Sequence, residues 1–167
     1  SALAASTFLG GSGNDGVNTA PNLKFNYADE FRGEVELDND GNVIIVSCTY
    51  STDYPSVSAF QGTNAGGLDG CITKLDDDLS TVIFSSYYGG SGSDGVYAAA
   101  VDSQNDIFIC GGTTSTNFPT EGTPYQNTYG GGSADGFVSK IQQSTISVEA
   151  STFFGSNAYD QAYFIEV

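Results

Sequence analysis

The amino-acid sequence predicts an all-β chain assembled from four-stranded antiparallel sheets. Three observations carry that reading. Twenty-two of the 167 residues are Gly, set among many Ser, Thr, Asn and Asp, a composition suited to short strands and tight turns. No stretch keeps apolar residues at helical spacing. The chain also repeats itself, with a period of about 66 residues.

The repeat is visible in three phrases. "STFLGGSGNDGV" (6–17) returns as "SSYYGGSGSDGV" (85–96) and, eroded, as "STFFGSNAYDQA" (151–162). "LDNDGNVIIVSCTYSTDYPS" (37–56) returns as "VDSQNDIFICGGTTSTNFPT" (101–120), and "AFQGTNAGGLDGCITKL" (59–75) as "PYQNTYGGGSADGFVSKI" (124–141). Asp94 and Asp160 lie 66 positions apart, as do Lys74 and Lys140. Asp15 and Asp94 are 79 apart because the first copy carries an insertion, about residues 18–33.

Each copy resolves into four short strands. In the first they are Glu34–Leu37, Val43–Cys48, Gly70–Leu75 and Val82–Tyr87; in the second, Ala98–Val101, Ile107–Gly111, Gly136–Ile141 and Ser147–Phe153. The links "DNDGN" and "DSQND" join first to second strands, and "DDDLS" and "QQSTI" join third to fourth. These are hairpin-length turn sequences. Four antiparallel strands at this period describe a β-propeller blade. A β-sandwich also suits about eight strands, but it has no need of two halves that repeat in sequence.

The expected organisation is one β-propeller domain, incomplete as a ring. Residues 1–17 are the last strand of a preceding blade (Ser6–Leu9) and an inter-blade turn, 18–33 an insertion, 34–88 and 89–154 two blades, and 155–167 the start of another, with a strand at Tyr163–Val167. Two and a half blades cannot close a ring of about four to eight. The remaining blades are expected in the same, longer polypeptide.

Composition narrows the function classes. Four basic residues (Lys24, Arg32, Lys74, Lys140) face twenty acids, a net charge of −16. That disfavours nucleic acid and anionic membranes, whose phosphates need Lys and Arg. No run is apolar enough for membrane insertion. Cysteines 48, 71 and 110 lie in strand-like runs without metal spacing and are expected as buried thiols. With no His, Ser-His-Asp and Cys-His mechanisms have no base here, and no GxSxG, P-loop or zinc motif occurs. No catalytic residue or cofactor is therefore expected. The competing class is a glycan-processing hydrolase or lyase, which needs only two suitably separated carboxylates, placed near the ring axis.

Candidate sites fall on one face. Strands running alternately up and down put the GGSG turns, the insertion and the long loops 49–68 and 112–134 together, and binding usually resides on such irregular backbone. Aromatic rings there, Phe25, Tyr27 and Tyr129, are the candidate ligand contacts for a glycan or protein. Tyr54 and Phe118, each followed by Pro, are expected to anchor their loops instead. Both GGSG turns also fit G-G-x-G-x-D-x-U-x, the pattern of calcium-binding nonapeptide repeats, which makes Asp15 and Asp94 the candidate ligands of a structural calcium. Such sites arise from tandem repeats, whereas one lone loop offers fewer oxygens than the six to eight Ca²⁺ prefers. An inter-blade turn is the better reading of the letters.

As a set, the motifs at Phe8–Asp15, Leu37–Pro55, Ala59–Gln61 and Asp69–Leu75, with their second copies at Tyr87–Asp94, Val101–Pro119, Tyr125–Gln126 and Asp135–Ile141, resemble the SBBP repeat of bacterial β-propellers. Cys48, Cys71 and the eroded third glycine pair depart from that pattern. The resemblance implies a ring of about seven blades, secretion or cell-surface location, and service as a rigid scaffold or adhesion platform.

Overall fold

The computed structural model describes residues 2–167; Ser1, the first residue of the 1–17 segment, lies outside the described residues. Eight strands form: β1 (Glu34–Leu37), β2 (Val43–Thr49), β3 (Asp69–Leu75), β4 (Val82–Tyr88), β5 (Asp94–Val101), β6 (Ile107–Thr113), β7 (Asp135–Gln142) and β8 (Ser147–Phe154). They make two four-stranded sheets, β1-β2-β3-β4 and β5-β6-β7-β8, antiparallel throughout and in sequence order. Only two 3₁₀ turns, Pro21–Leu23 and Asp29–Phe31, interrupt the β architecture among the described residues. The two sheets do not close a ring.

Alternation along the strands decides what is buried. Ile44 and Val46 of β2, Ile72 of β3 and Phe84 of β4 share one side of the first sheet. They pack against Ala99, Ile107, Ile109, Phe137, Ile141 and Phe153 of the second, forming one core between the sheets. Tyr88 and Phe118 fill its upper seam, their rings 4.9 Å apart and edge-on. Phe118 and Tyr54 are both buried, as anchors of their loops should be. Tyr54 covers the opposite side of β3, its hydroxyl 3.0 Å from the Thr73 hydroxyl.

The hairpins follow from turn chemistry. Gly41 (φ 88°) and Asn105 (φ 65°) hold the same left-handed position in the β1–β2 and β5–β6 turns, a conformation Gly and Asn adopt at little cost. The long loops then double back along the outer edge of each sheet. Val57 pairs with Ser85 of β4, and Glu121 with Ser151 of β8, so neither outer strand leaves its whole edge open to aggregation.

Two expected strands do not form. Ser6–Leu9 and Tyr163–Val167 run outside any ladder, because a strand exists only where another pairs with it and no described segment does so. The insertion explains a further difference. β5 is continuous from Asp94 and absorbs Tyr97 as a one-residue bulge between Val96 and Ala98. In the first copy Asp15 pairs with Thr49, the chain leaves the ladder, and it rejoins at Glu34 opposite Val46. The insertion is an enlarged bulge.

Candidate functional site

Every repeated motif meets at the joints between sheets. At the joint into β5, the Asp94 carboxylate accepts from the Gly90 amide and the Ser115 hydroxyl, each at 2.8 Å, and from the Thr113 hydroxyl. The Gly92 amide donates to Ser115 Oγ at 2.8 Å, and the Ser91 amide to Asn117 Oδ1 at 2.9 Å. The first copy repeats this bond for bond. Asp15 accepts from Gly11 N (2.8 Å), Thr49 Oγ1 (2.5 Å) and Ser51 Oγ (2.9 Å), while Gly13 donates to Ser51 and Ser12 to Asp53. Thus the GGSG turn lies clasped by the T-x-S-x-D/N segment that follows the second strand of each sheet.

The two aspartates read as calcium ligands therefore spend oxygens of both kinds on hydroxyl and amide donors. Among the described residues no three Cys, Asp or Glu side chains group as a metal ion requires. A partner that recurs in both copies comes from the previous sheet: Gln61 accepts from Gly89 N (3.0 Å) and donates to Asp69 Oδ2 (3.0 Å), and Gln126 does the same for Gly155 and Asp135. The sequence places Asp69, Asp135 and both glutamines in the repeated motifs but does not mark them as site residues, although "FQ" and "YQ" recur as clearly as the glycines.

The insertion forms a polar-cored knob. Buried Asn18 donates to the carbonyls of Leu23 (2.8 Å) and Asp29 (3.3 Å), and fully buried Asp29 accepts from the amides of Phe25 (2.9 Å) and Asn26 (2.6 Å). Ala20 and Leu23 anchor it on Cys48, Leu68 and Ala134 at the top of the sheets. The Arg32 guanidinium sits 4.4 Å from the Tyr163 ring centre, a cation–π distance, and Tyr97 stacks on Tyr163 at 5.8 Å. Arg32, Tyr97, Tyr159 and Tyr163 are contacts the sequence did not single out. A bulge residue unmatched between the copies was the signal for Tyr97.

Of the three aromatics expected to bind, two share this knob. Phe25 is 72% exposed and lies 4.6 Å from the Tyr159 ring; Tyr27 is 97% exposed and lines a cavity of about 380 Å³ with Lys24, Glu30 and Phe31. Tyr129 is elsewhere, half-buried on the 112–134 loop with its ring edge-on to Phe153 at 6.1 Å. At the inner edge of the sheets a second cleft, about 450 Å³, carries Glu34, Glu36 and Glu166. Glu34 Oε2 accepts from the Ala99 amide at 2.7 Å, tying β1 to β5.

The three thiols are free and buried. Burial pushes Cys48 and Cys110 up to about 12, and Cys71 higher still, so none is a ready nucleophile. No helix of the described residues is long and apolar enough to cross a membrane.

The geometry defines a class: paired antiparallel four-strand meanders, joined by clasped glycine turns and carrying one aromatic loop. Neither the known family models nor the curated proteins contain a match to this chain.

Proposed function

We propose that this chain is a non-catalytic segment of a bacterial β-propeller of the SBBP-repeat kind, a rigid scaffold that displays the inserted loop to a glycan or protein at a cell surface or in the secreted space. One observation carries the propeller reading. The side of the first sheet that buries Ile44, Ile72 and Phe84 has its counterpart on the far side of the second, where Phe108, Val138 and Ala150 occupy the matching ladder positions. A third sheet can therefore stack on the second as the second stacks on the first, and propagation of one interface is how blades build a ring.

The binding reading rests on Phe25, Tyr27 and Phe31, three large exposed rings on one short loop of an otherwise acidic molecule. The test is a glycan and protein binding screen with the 167-residue chain, alongside Phe25→Ala and Tyr27→Ala. Binding lost in both variants at unchanged melting temperature supports the proposal. The competing hydrolase or lyase is favoured by the glutamate-lined inner cleft. Turnover of a polysaccharide, abolished by Glu36→Gln or Glu166→Gln, overturns the non-catalytic reading.

A further inference from the structure

The joints contain something that clasping a turn does not require: a second buried carboxylate. Asp69 at the start of β3 is fully buried, as is its repeat, Asp135 at the start of β7. In both, one oxygen is satisfied and the other has no hydrogen-bond partner. Asp69 Oδ2 accepts from Ala65 N (2.8 Å) and Gln61 Nε2 (3.0 Å), and Asp135 Oδ2 from Gly130 N (2.5 Å) and Gln126 Nε2 (3.5 Å). Oδ1 of each is buried and orphaned.

At the first joint Asp69 and the aspartate of the next sheet, Asp94, flank a single glycine. A Cβ placed on Gly89 would lie 2.7 Å from Asp94 Oδ2 and 3.1 Å from Asp69 Cγ, so the two carboxyls flank the space where a side chain would be. At the equivalent Gly155 a Cβ would lie 2.5 Å from Asp135 Oδ1, but no Asp160 atom is among its nearest neighbours. The four cations of the chain are engaged elsewhere: Lys24 with Glu30, Arg32 with Asp29, Lys74 with Asp38, and Lys140 with Asp106 and Glu149. Around the first pair, β4 contributes Tyr87 and Tyr88, whose hydroxyls burial keeps neutral. Asp15, Asp53 and Glu121 add only further negative potential to those tyrosines. The β6 side presents the neutral hydroxyls of Thr113 and Ser115. Beside Asp135 stands Tyr129, likewise raised by burial.

Two close, buried carboxylates without a cation cannot both stay ionised. A proton on the orphan oxygen removes one charge and turns an unsatisfied acceptor into a donor. We propose that Asp69–Asp94 is a carboxyl pair that holds one proton near neutral pH, making this joint between sheets a pH-sensitive clasp. Burial, then the neighbouring Asp69 charge, pushes Asp94 up to about 7, and burial likewise raises Asp69 and Asp135.

The sign follows from linkage. An acid whose folded pKa is raised binds more protons folded than unfolded. Its stabilisation is therefore complete below about pH 4 and gone above about pH 7.

The test is Asp69→Asn in the 167-residue chain, since the amide supplies the missing donor without a proton. The variant is expected to melt ~5 °C or more above wild type near pH 7.5 and level with it near pH 4.5. In the wild type, carboxyl ¹³C NMR should show an Asp titrating near pH 7, a readout that stands even where the variant fails to fold. A variant that melts lower near pH 7.5, an equal difference at both pH values, or no Asp titrating above about pH 5.5 overturns the proposal. So does a melting gain with Ca²⁺ that chelator reverses and Asp69→Asn abolishes, which would make the pair a metal site.

Discussion

Lys74→Met separates a buried ion pair from its exposed copy. Lys74 Nζ lies 2.6 Å from Asp38 Oδ2, with both side chains almost wholly out of solvent (3% and 0% exposed). Asp38 also accepts from the amides of Asp40 (2.9 Å) and Asn42 (2.8 Å) and from Asn42 Nδ2 (2.9 Å). Burial by itself would raise the Asp38 pKa, but the Lys74 and Asn42 bonds outweigh it and hold it below the usual carboxylate range. Methionine keeps the stem that packs between the sheets and removes only the ammonium. The carboxylate is then left buried with its charge uncompensated, which costs about 3–5 kcal/mol. At roughly 2–4 °C per kcal/mol for a chain this size, Tm falls by about 6–20 °C at neutral pH. The repeat supplies the control. Lys140, equivalent in register, reaches Asp106 at 2.9 Å and Glu149 at 2.7 Å from a partly exposed position, where solvent screens the pair. Lys140→Met should shift Tm by no more than about 3 °C. Thermal unfolding followed by circular dichroism measures both. Equal losses in the two variants, or recovery absent in Lys74→Met/Asp38→Asn, would refute the reasoning.

Other outcomes follow from the same contacts. Tyr88→Phe removes a hydroxyl bonded to Ser139 (2.7 Å) and Ser151 (2.9 Å), but those serines also bond each other at 2.8 Å. The loss in denaturant unfolding should stay near 1 kcal/mol. Asp38, with its lowered pKa, contributes stability above its unfolded pKa that is lost as pH falls through the folded value. Asp94, raised to about 7, loses its contribution as pH rises from about 4 to 7. Melting temperature against pH should thus peak near pH 4–5 rather than at neutrality. All three cysteines should resist a thiol reagent in the native state and react together after denaturation, since each is buried and its thiolate disfavoured. Gly111→Ala should unfold or severely destabilise the second sheet, because a methyl there collides with the Gly95 carbonyl across the ladder.

The sequence by itself determined what depends on local chemistry and repetition. Strand-like runs bounded by turn residues placed all eight strands to within a few residues, and the self-similarity of the copies fixed their grouping into fours. It also read the GGSG letters as a turn at the joint between sheets, which is where they lie. Tertiary structure alone decided the rest. Ser6–Leu9 and Tyr163–Val167 carry strand-like letters yet lie outside any ladder, since pairing is a property of two segments and not of one. Tyr129 and Tyr27 look alike as loop aromatics, but one packs on Phe153 and the other meets solvent. Asp69 reads as an ordinary residue before a glycine. Only when the third strand of one sheet is set beside the first strand of the next does it face Asp94. Burial then makes two distant acids one titrating unit, because removal from water is what makes their mutual repulsion strong.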